Sequence, residues 1–376
     1  MSVRFSAPSS SAAQPVKIMA ILNVTPDSFS DGGRLSGLDA ILKAAETSIA
    51  AGAELLDIGG ESTRPGALTI TAADEIERVR PAIEAIHKRF PKITLSIDTR
   101  KAAVAESALE VGARIVNDVS GLCYDPAIAA VVARYQAGLI IMHSQGEPQT
   151  MQHNPQYPNG VVESVSTFFE QQVNQAVQAG VAKERIILDP GFGFGKTRTH
   201  NLTLLAQLNR FQRLGYPILV GLSRKTFLSP VAESGKALLP PAEREALTAA
   251  GIAMAVERGA RYIRIHDVAR HASVIRLTEA LLKTAMVALI GIFTVCSAAS
   301  WADSCSDASK QALSLLKSTQ QQALDNQHPD PERFNAEFAK AVAPLKIPLC
   351  ADEMKKLNLY IEKERKKYPP AMPIED

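Results

Sequence analysis

The amino-acid sequence predicts a (β/α)8 barrel, in which eight parallel strands alternate with helices and close into a ring. Eight short apolar runs follow one another, and each is continuous rather than alternating, as is typical of strands covered on both faces. Stretches with helical periodicity lie between them, for example 40–51, 74–88 and 102–110. The count of eight, over roughly the 250 residues of such barrels, favours closure over the alternative, a doubly wound open sheet.

A polar or charged residue lies at or near the carboxyl end of every run. The runs span residues 18–25, 55–61, 94–99, 115–120, 138–143, 186–191, 217–223 and 262–267. Their terminal polar residues are, in order, Asn23 and Thr25, Asp57 and Glu61, Asp98, Asn117 and Asp118, His143, Asp189, Ser223 with Arg224 and Lys225, and Arg264 with His266. Active sites of such barrels form at this edge, so the pattern predicts one site at the barrel mouth.

Composition and charge indicate a globular chain that acts on small molecules rather than on nucleic acid. Of 376 residues, 46% are hydrophobic and 21% are charged, which is enough apolar content to bury a large core. The formal net charge of +2 provides no sequence-wide positive field, so an anion site must be built from a few arginines and lysines. Cys123 stands alone in the main body, and no cysteine pair has zinc-ligand spacing, as is typical of a reduced, cytoplasmic protein.

The segment 189–196, DPGFGFGK, follows a buried apolar run and begins with a carboxylate. Its alternate glycines, Gly193 among them, let the backbone approach a flat or anionic substrate, and Phe192 and Phe194 offer faces for stacking. A nucleotide P-loop is excluded by spacing, because the position where that motif needs its first glycine is occupied by Pro190. The segment therefore predicts a strand that delivers Asp189 to a ligand.

Six segments together resemble dihydropteroate synthase over residues 15–283. In order along the chain they are 23–33 (NVTPDSFSDGG), 59–66 (GGESTRPG), 96–99 (SIDT), 189–196, 223–226 (SRKT) and 264–267 (RIHD). The resemblance implies an enzyme of folate biosynthesis that joins p-aminobenzoate to 6-hydroxymethyl-7,8-dihydropterin diphosphate and releases diphosphate. It also implies a homodimer, and that the site is the target of sulfonamides. The alternatives are a methyltransferase-type pterin-binding barrel and an inactive, membrane-tethered scaffold.

The resemblance implies three catalytic residues, Asp98, Lys225 and Arg64. Departure of diphosphate leaves a cationic pterin methylene, and we expect Asp98 to stabilise that cation as a carboxylate fixed beforehand. Lys225 is expected to reach the pterin carbonyl side and to line the p-aminobenzoate channel. Arg64, with Thr63, is expected to bind the diphosphate together with Arg264 and His266.

The resemblance also implies which residues contact the pterin, the p-aminobenzoate and the metal ion. Asn117 and Asp189 are expected to hydrogen-bond the pterin edge, and Met142 and Phe194 to sandwich its ring. Thr226 is expected at the start of a helix, where it suits the p-aminobenzoate carboxylate. The loops carrying Phe29 and Pro65 are expected to act as lids that exclude water. Asn23 is expected to hold Mg²⁺, which would screen the diphosphate.

The chain extends beyond the resemblance at both ends. Residues 1–14 predict a flexible arm, and 303–376 predict a small helical tail of unknown function whose Cys305 and Cys350 form a disulfide or remain free thiols. The segment 284–302 holds eighteen consecutive uncharged residues, 285–302, long enough for a bilayer span or a signal sequence. A spanning helix would leave the barrel in the cytoplasm. A buried terminal helix is a further interpretation, and fusion of unrelated pieces is favoured over the spanning helix.

Overall fold

The computed structural model describes residues 15–24, 33–62, 69–146, 150–229 and 240–298. The chain divides into two units, Met1–Leu282 and Lys283–Asp376, and the described strands all lie in the first. The predicted arm 1–14 and the predicted tail 303–376, with Cys305 and Cys350, fall outside the described residues.

Eight parallel strands form a closed barrel in the order of the sequence, which confirms the predicted fold. They are β1 (Lys17–Asn23), β2 (Leu55–Gly59), β3 (Thr94–Asp98), β4 (Ile115–Asp118), β5 (Gly138–Met142), β6 (Ile186–Asp189), β7 (Ile218–Val220) and β8 (Ala260–Ile265). β1 pairs with both β2 and β8, and this closes the ring. Each strand ends one to three residues before its predicted end, because the polar residues that follow leave the ladder and begin the loops.

Helices fill the outside of the barrel. They are α1 (Gly33–Ala50), α2 (Ala72–Arg89), α3 (Ala102–Glu110), α4 (Ala127–Tyr135), α5 (Val161–Gln178), α6 (Arg198–Ala206), α7 (Glu245–Glu257) and α8 (Val268–Ala298). Side-chain caps mark the starts of α2 and α6. At α2, for example, the Thr71 side chain accepts the backbone N–H of Asp74, and Asp74 and Glu75 place negative charge at the helix N-terminus.

Alternation along the strands decides which side chains lie inside the barrel. One buried cluster consists of inward-facing residues from seven strands: Met19, Leu55, Ile115, Ile140, Ile187, Leu219 and Tyr262. Their strand neighbours, such as Ile18, Leu56 and Val116, belong to the larger cluster beneath the helices. Because side chains alternate, the residues two positions further along also point inward. Five strands there carry Asp57, Asn117, Met142, Asp189 and Arg264, so an apolar layer forms the floor of a polar one.

The last helix extends beyond residue 283, where the resemblance ends. α8 runs from Val268 to Ala298 and so includes most of the apolar segment 285–302. Within the described ranges, none of the helices combines the length and the apolar character needed to cross a lipid bilayer. Residues 299–302 lie outside the described part of the chain.

Candidate active site

An arginine and two aspartates form the centre of the site. Arg264 on β8 donates from Nε to Asp57 Oδ2 on β2 at 2.6 Å and from Nη2 to Asp98 Oδ2 on β3 at 2.5 Å. Asn117 on β4 donates from Nδ2 to the same Asp57 oxygen at 2.9 Å. We call these four residues the acidic half. Its two carboxylates face one guanidinium, so the group has an excess of negative charge when both are ionised.

Three residues of the acidic half each keep a buried oxygen atom without a hydrogen-bond partner among the described residues. The atoms are Asp57 Oδ1, Asp98 Oδ1 and Asn117 Oδ1. An unsatisfied buried acceptor costs about 1–3 kcal/mol, and native proteins keep few of them. Three on neighbouring strands therefore indicate a ligand with several N–H donors. The sequence had placed Asp98 and Asn117 in such a site, and the structure brings them together.

Burial raises the pKa of the two carboxyl groups predicted to meet the pterin. The pKa of Asp98 rises to about 7 through burial, while the charge of Arg264 opposes the shift and that of Asp57 adds to it. The pKa of Asp189 rises to about 6 through burial, opposed by the Gly191 backbone N–H and by Arg264 and Lys225. Both carboxyl groups therefore titrate near neutral pH, which is common at functional sites.

The opposite side of the mouth is built from the loops after β5 and β6. Asp189 Oδ1 accepts the Gly191 backbone N–H at 2.8 Å, and the buried Lys196 Nζ lies 2.9 Å from His143 Nδ1. His143, which follows the end of β5, is thus a hydrogen-bond partner of Lys196. Gly191, Gly193 and Gly195 all have positive φ, at 68°, 79° and 62°, a region that other residues rarely adopt. We call His143 and residues 189–196 the glycine-rich half.

Lys225 lies against the glycine-rich half. Its Nζ is 4.2 Å from the centre of the Phe194 ring, a cation–π contact. A Cβ added at Gly193 would lie 3.2 Å from Lys225 Cδ, so the lysine stem covers the Gly193 backbone. Met142 is buried and pairs in register with Asp189. The structure therefore groups Met142, Asp189, Gly193, Phe194 and Lys225, as the sequence predicted.

The prediction that a helix begins at Thr226 is wrong. Thr226–Leu228 is a single 3₁₀ turn, and α7 begins only at Glu245. Ser229 is extended, with φ −73° and ψ 123°, because the residue before a proline is disfavoured in the helical region and Pro230 follows. A single turn has little helix dipole, so any role of Thr226 rests on its hydroxyl and local amides.

Arg224, between Ser223 and Lys225, is held in a left-handed conformation with φ 60°. Its Nε donates to Glu245 Oε1 at 2.7 Å, and its backbone N–H donates to Thr248 Oγ1 at 3.2 Å. The N-terminal turn of α7 thus stabilises a backbone conformation that costs a non-glycine residue of order 1 kcal/mol or more. This contact orients the adjoining Ser223 and Lys225.

His266 and Asn23 lie at the rim. His266 Nδ1 is 2.9 Å from Ser223 Oγ, which ties the end of β8 to the loop after β7. Asn23 is exposed at the end of β1, and its Oδ1 and Asp98 Oδ2 both lie within 4 Å of the position that a Gly59 Cβ would take. Among the described residues no group of three or more His, Cys, Asp and Glu side chains has metal-binding geometry. An exposed amide oxygen fits Mg²⁺ as one ligand, because this ion usually keeps several waters and binds substrate phosphates.

Four predicted site residues, Phe29, Thr63, Arg64 and Pro65, lie outside the described residues. Both flanks of the segment 63–68 are described. Glu61 Oε1 accepts the Ile70 backbone N–H at 3.0 Å, and Arg100 Nη2 donates to Thr69 Oγ1 at 3.1 Å.

Sequence reasoning assigned no role to three residues that the structure makes central. Asp57, noted only as polar, joins Arg264 to Asn117. Lys196, the last residue of the glycine-rich segment, has four acceptors around its Nζ. Ser223 bonds His266. A carboxylate at an inward position of an otherwise apolar strand was a usable signal for Asp57, whereas the surroundings of Lys196 depend on tertiary structure.

Comparison with known proteins gives a consistent result. The family profile described as "Pterin binding enzyme" matches residues 19–266. A dihydropteroate synthase from Synechocystis is 45% identical over 264 residues, which are 70% of this chain and 89% of that protein.

Two solved structures are also similar. The dihydropteroate synthase of Yersinia pestis, in complex with a sulfonamide drug, is 40% identical with a TM-score of 0.65, covering 72% of this chain and 95% of that one. The Xanthomonas albilineans dihydropteroate synthase with 4-aminobenzoic acid is 38% identical with a TM-score of 0.64, covering 71% of this chain and 93% of that one.

Proposed function

The chain belongs to the pterin-binding enzyme family and, within it, to the dihydropteroate synthases, and from that premise we propose how its residues divide the reaction among them. The enzyme condenses 6-hydroxymethyl-7,8-dihydropterin diphosphate with p-aminobenzoate to give 7,8-dihydropteroate and diphosphate. The methyltransferase-type barrel is not favoured, because the relatives reported above are synthases.

The observation that carries the assignment of roles is the set of three unpartnered oxygens in the acidic half. The pterin ring presents amide, amino and ring N–H donors along its edges, and Asp57, Asp98 and Asn117 present acceptors on adjacent strands. A site of this kind rejects analogues that lack the donors, since the buried acceptors would then stay unpaired. Asp189 completes the set from β6, and Met142 and Phe194 flank the ring.

Asp98 stabilises the cation that develops at the pterin methylene as diphosphate departs. Its carboxylate is held by Arg264 before charge develops, so little reorganisation is needed during the reaction. Arg264 also neutralises Asp57, and the acidic half then keeps one excess negative charge for the cationic intermediate. The raised pKa of Asp98 falls again once a positive charge is nearby, because an opposite charge favours the carboxylate.

The second substrate binds above the pterin, near Lys225 and Thr226. The Lys225 ammonium lies over the Phe194 ring, and we infer that it lines the p-aminobenzoate channel. The hydroxyl of Thr226 is available to the p-aminobenzoate carboxylate. We infer from the family resemblance that the segments carrying Phe29 and Pro65 exclude water, which would otherwise capture the cation. The Yersinia pestis enzyme is solved with a sulfonamide drug, and we infer that such drugs compete for this pocket here as well.

Thr63, Arg64 and His266 bind the diphosphate at the rim, with Asn23 as the protein ligand of Mg²⁺. Arg264 adds positive charge from below, although two of its nitrogens donate to carboxylates. When bound, Mg²⁺ screens the charge of the leaving diphosphate. Ser223 fixes the His266 imidazole through its Nδ1 contact, so that the ring is oriented toward the rim.

The active form is proposed to be a cytoplasmic homodimer in which residues 284–376 are not needed for turnover. Sedimentation of residues 1–283 at micromolar concentration tests the dimer, and a purely monomeric species would contradict it. Unchanged turnover of this shortened chain is the expected result, and loss of turnover would show that the tail belongs to the enzyme.

The test of the assignment is a diphosphate-release assay that requires both substrates. Asp98→Asn is expected to lower kcat by more than about tenfold while the dissociation constant for 6-hydroxymethylpterin changes little, because the amide keeps one oxygen to accept a pterin N–H and loses only the negative charge that faces the developing cation. Asp125→Asn, an isosteric change at the start of α4 outside the site, is the matched control. Equal losses of binding and turnover would make Asp98 a simple ligand, and absence of release by the wild type would support the inactive scaffold.

A further inference from the structure

Lys196 is a buried lysine whose surroundings resemble those of a metal ion. Its residue exposure is 3%, and its Nζ lies 2.9 Å from His143 Nδ1. It donates to three backbone carbonyl oxygens, those of Gly191 at 2.9 Å, Phe194 at 3.0 Å and His143 at 3.2 Å. An ammonium group has three N–H donors and no acceptor, so the four acceptors share its three N–H groups and none is left over for a ligand.

These acceptors come from two loops in close contact. A Cβ at Gly191 would lie 1.9 Å from the His143 carbonyl oxygen, and one at Gly195 would lie 2.2 Å from the Gln145 carbonyl oxygen. Carbonyl oxygens that converge from two loops repel one another unless a cation lies between them. Lys196 supplies that cation, and it is covalently part of one of the loops that it joins.

The loop held in this way carries the predicted pterin contacts. Asp189 is bonded to the Gly191 N–H, and the Gly193 N–H donates to Asn201 Oδ1 at 2.7 Å. Phe194 contacts both lysines. Its backbone carbonyl oxygen accepts a hydrogen bond from Lys196, and its ring lies under the Lys225 ammonium. A change in the Phe194 peptide therefore moves the ring, while the Lys196 ammonium itself is enclosed by three carbonyl oxygens and His143 Nδ1.

The charges around the ammonium are consistent with a cation that faces neutral acceptors. His143 comes from the loop after β5, Asp189 from β6, Lys225 from the loop after β7 and His200 from α6. Burial and the Lys196 charge hold the pKa of His143 well below its ordinary value, so its Nδ1 is free to accept. Burial lowers the pKa of Lys196 to about 7, while Asp189 opposes this shift and Lys225 adds to it.

We propose that Lys196 is a positioning residue for the pterin site, because its ammonium holds the loop after β6 against the loop after β5 and so sets the places of Asp189, Gly193 and Phe194. This inference rests on the proposed function. It predicts a selective effect on one substrate, which a lysine serving only stability would not produce.

The experiment compares Lys196→Met and Lys196→Ala with wild type in the full-length chain. We expect the KM for the pterin diphosphate and the dissociation constant of 6-hydroxymethylpterin to rise about fivefold or more, the effect of about 1 kcal/mol, while the KM for p-aminobenzoate stays within about twofold. Propylammonium added to the alanine variant should restore pterin binding, and tetramethylammonium, which lacks N–H donors, should not. Equal rises in both KM values, or unchanged pterin binding in a folded variant, would overturn the proposal.

Two further variants keep the test decisive. Arg258→Met removes a guanidinium that donates to the Leu205 carbonyl oxygen at 2.9 Å near the start of β8, and as a control it should lower stability without changing either KM. If both Lys196 variants fail to fold, His143→Leu is the second variant, because it removes the Nδ1 acceptor and leaves the ammonium with its three carbonyl oxygens. The His143→Leu change should raise the pterin dissociation constant by about twofold to threefold, which is less than the rise expected for the Lys196 variants. Wild-type pterin binding in that variant would refute the proposal. Pterin binding is measured without turnover, so failure here is distinct from failure of the synthase activity.

Discussion

The two halves of the barrel mouth treat buried charge in opposite ways. In the acidic half, Arg264 bonds one oxygen of Asp57 and one of Asp98, and each carboxylate keeps its second oxygen unpartnered within the described chain. In the glycine-rich half, Lys196 is surrounded by four acceptors. Burial moves the pKa of Asp98 up to about 7 and that of Lys196 down to about 7. The unsatisfied half is suited to bind a ligand, and the satisfied half is suited to hold a loop.

The largest effect that would separate the halves is expected from Arg264→Met. Removing one partner of a buried ion pair leaves uncompensated carboxylates and typically costs about 3–5 kcal/mol. Urea unfolding should show a loss of at least about 3 kcal/mol. Arg213→Met breaks an exposed pair with Glu163 at 3.4 Å and should cost less than about 1 kcal/mol. A loss for Arg264→Met as small as for this control would show that the acidic half does not depend on its guanidinium.

A smaller effect, confined to the glycine-rich half, is expected from Gly191→Ala. The residue has φ 68°, and its added Cβ would lie 1.9 Å from the His143 carbonyl oxygen, so both backbone strain and a clash oppose it. We expect a loss of about 2–3 kcal/mol by urea unfolding and weaker pterin binding. Gly52→Ala has φ 104° and no atom within 4 Å, so it reports strain alone and should cost about 1 kcal/mol. Equal losses at the two positions would mean that the contact between the loops has no energetic importance.

The smallest effect concerns pH. Since burial raises the pKa of Asp98 to about 7 from its ordinary 3.8, the carboxylate forms only as the pH rises through about 7, and kcat/KM should fall below that point. The limiting slope for one proton is about tenfold per pH unit. The free energy of unfolding changes in the opposite direction. Below about pH 7 the folded state retains a proton on Asp98 that the unfolded chain loses, so the contribution of Asp98 to stability is lost as the pH rises through about 7. Carbon-13 NMR of the aspartate carboxyls, assigned with Asp98→Asn, measures the titration. A midpoint near 3.8 would contradict both effects.

The sequence predicts those features of the fold and the site that depend on residues close together along the chain. The eight apolar runs and their terminal polar residues predicted the barrel and placed Asp98, Asn117 and Asp189 in one site, because parallel strands bring their carboxyl ends to one edge. The helix expected at Thr226 was wrong because Pro230 interrupts it.

Long-range partners were harder to predict. The partner of Asp57 is Arg264, 207 residues away, and the partner of Lys196 is His143, 53 residues away. No local pattern encodes either pair. Fold class depends on periodicity that repeats along the chain, whereas these pairs depend on a single register between distant strands.

The bonds of Arg264 also bear on how the chain folds during synthesis. β2 and β3 leave the ribosome long before β8, and their aspartates then have no counter-ion from Arg264, which lies 207 and 166 residues further on. Contacts of such sequence separation form late, since loop closure must precede them. Until β8 arrives, Asp57 and Asp98 are more stable in water than in an apolar interior, and the open sheet is kept from closing around them. Arrival of the last strand, Ala260–Ile265, therefore completes the barrel and neutralises its interior in one step, so the nascent chain acquires its active site only after β8 has been synthesised.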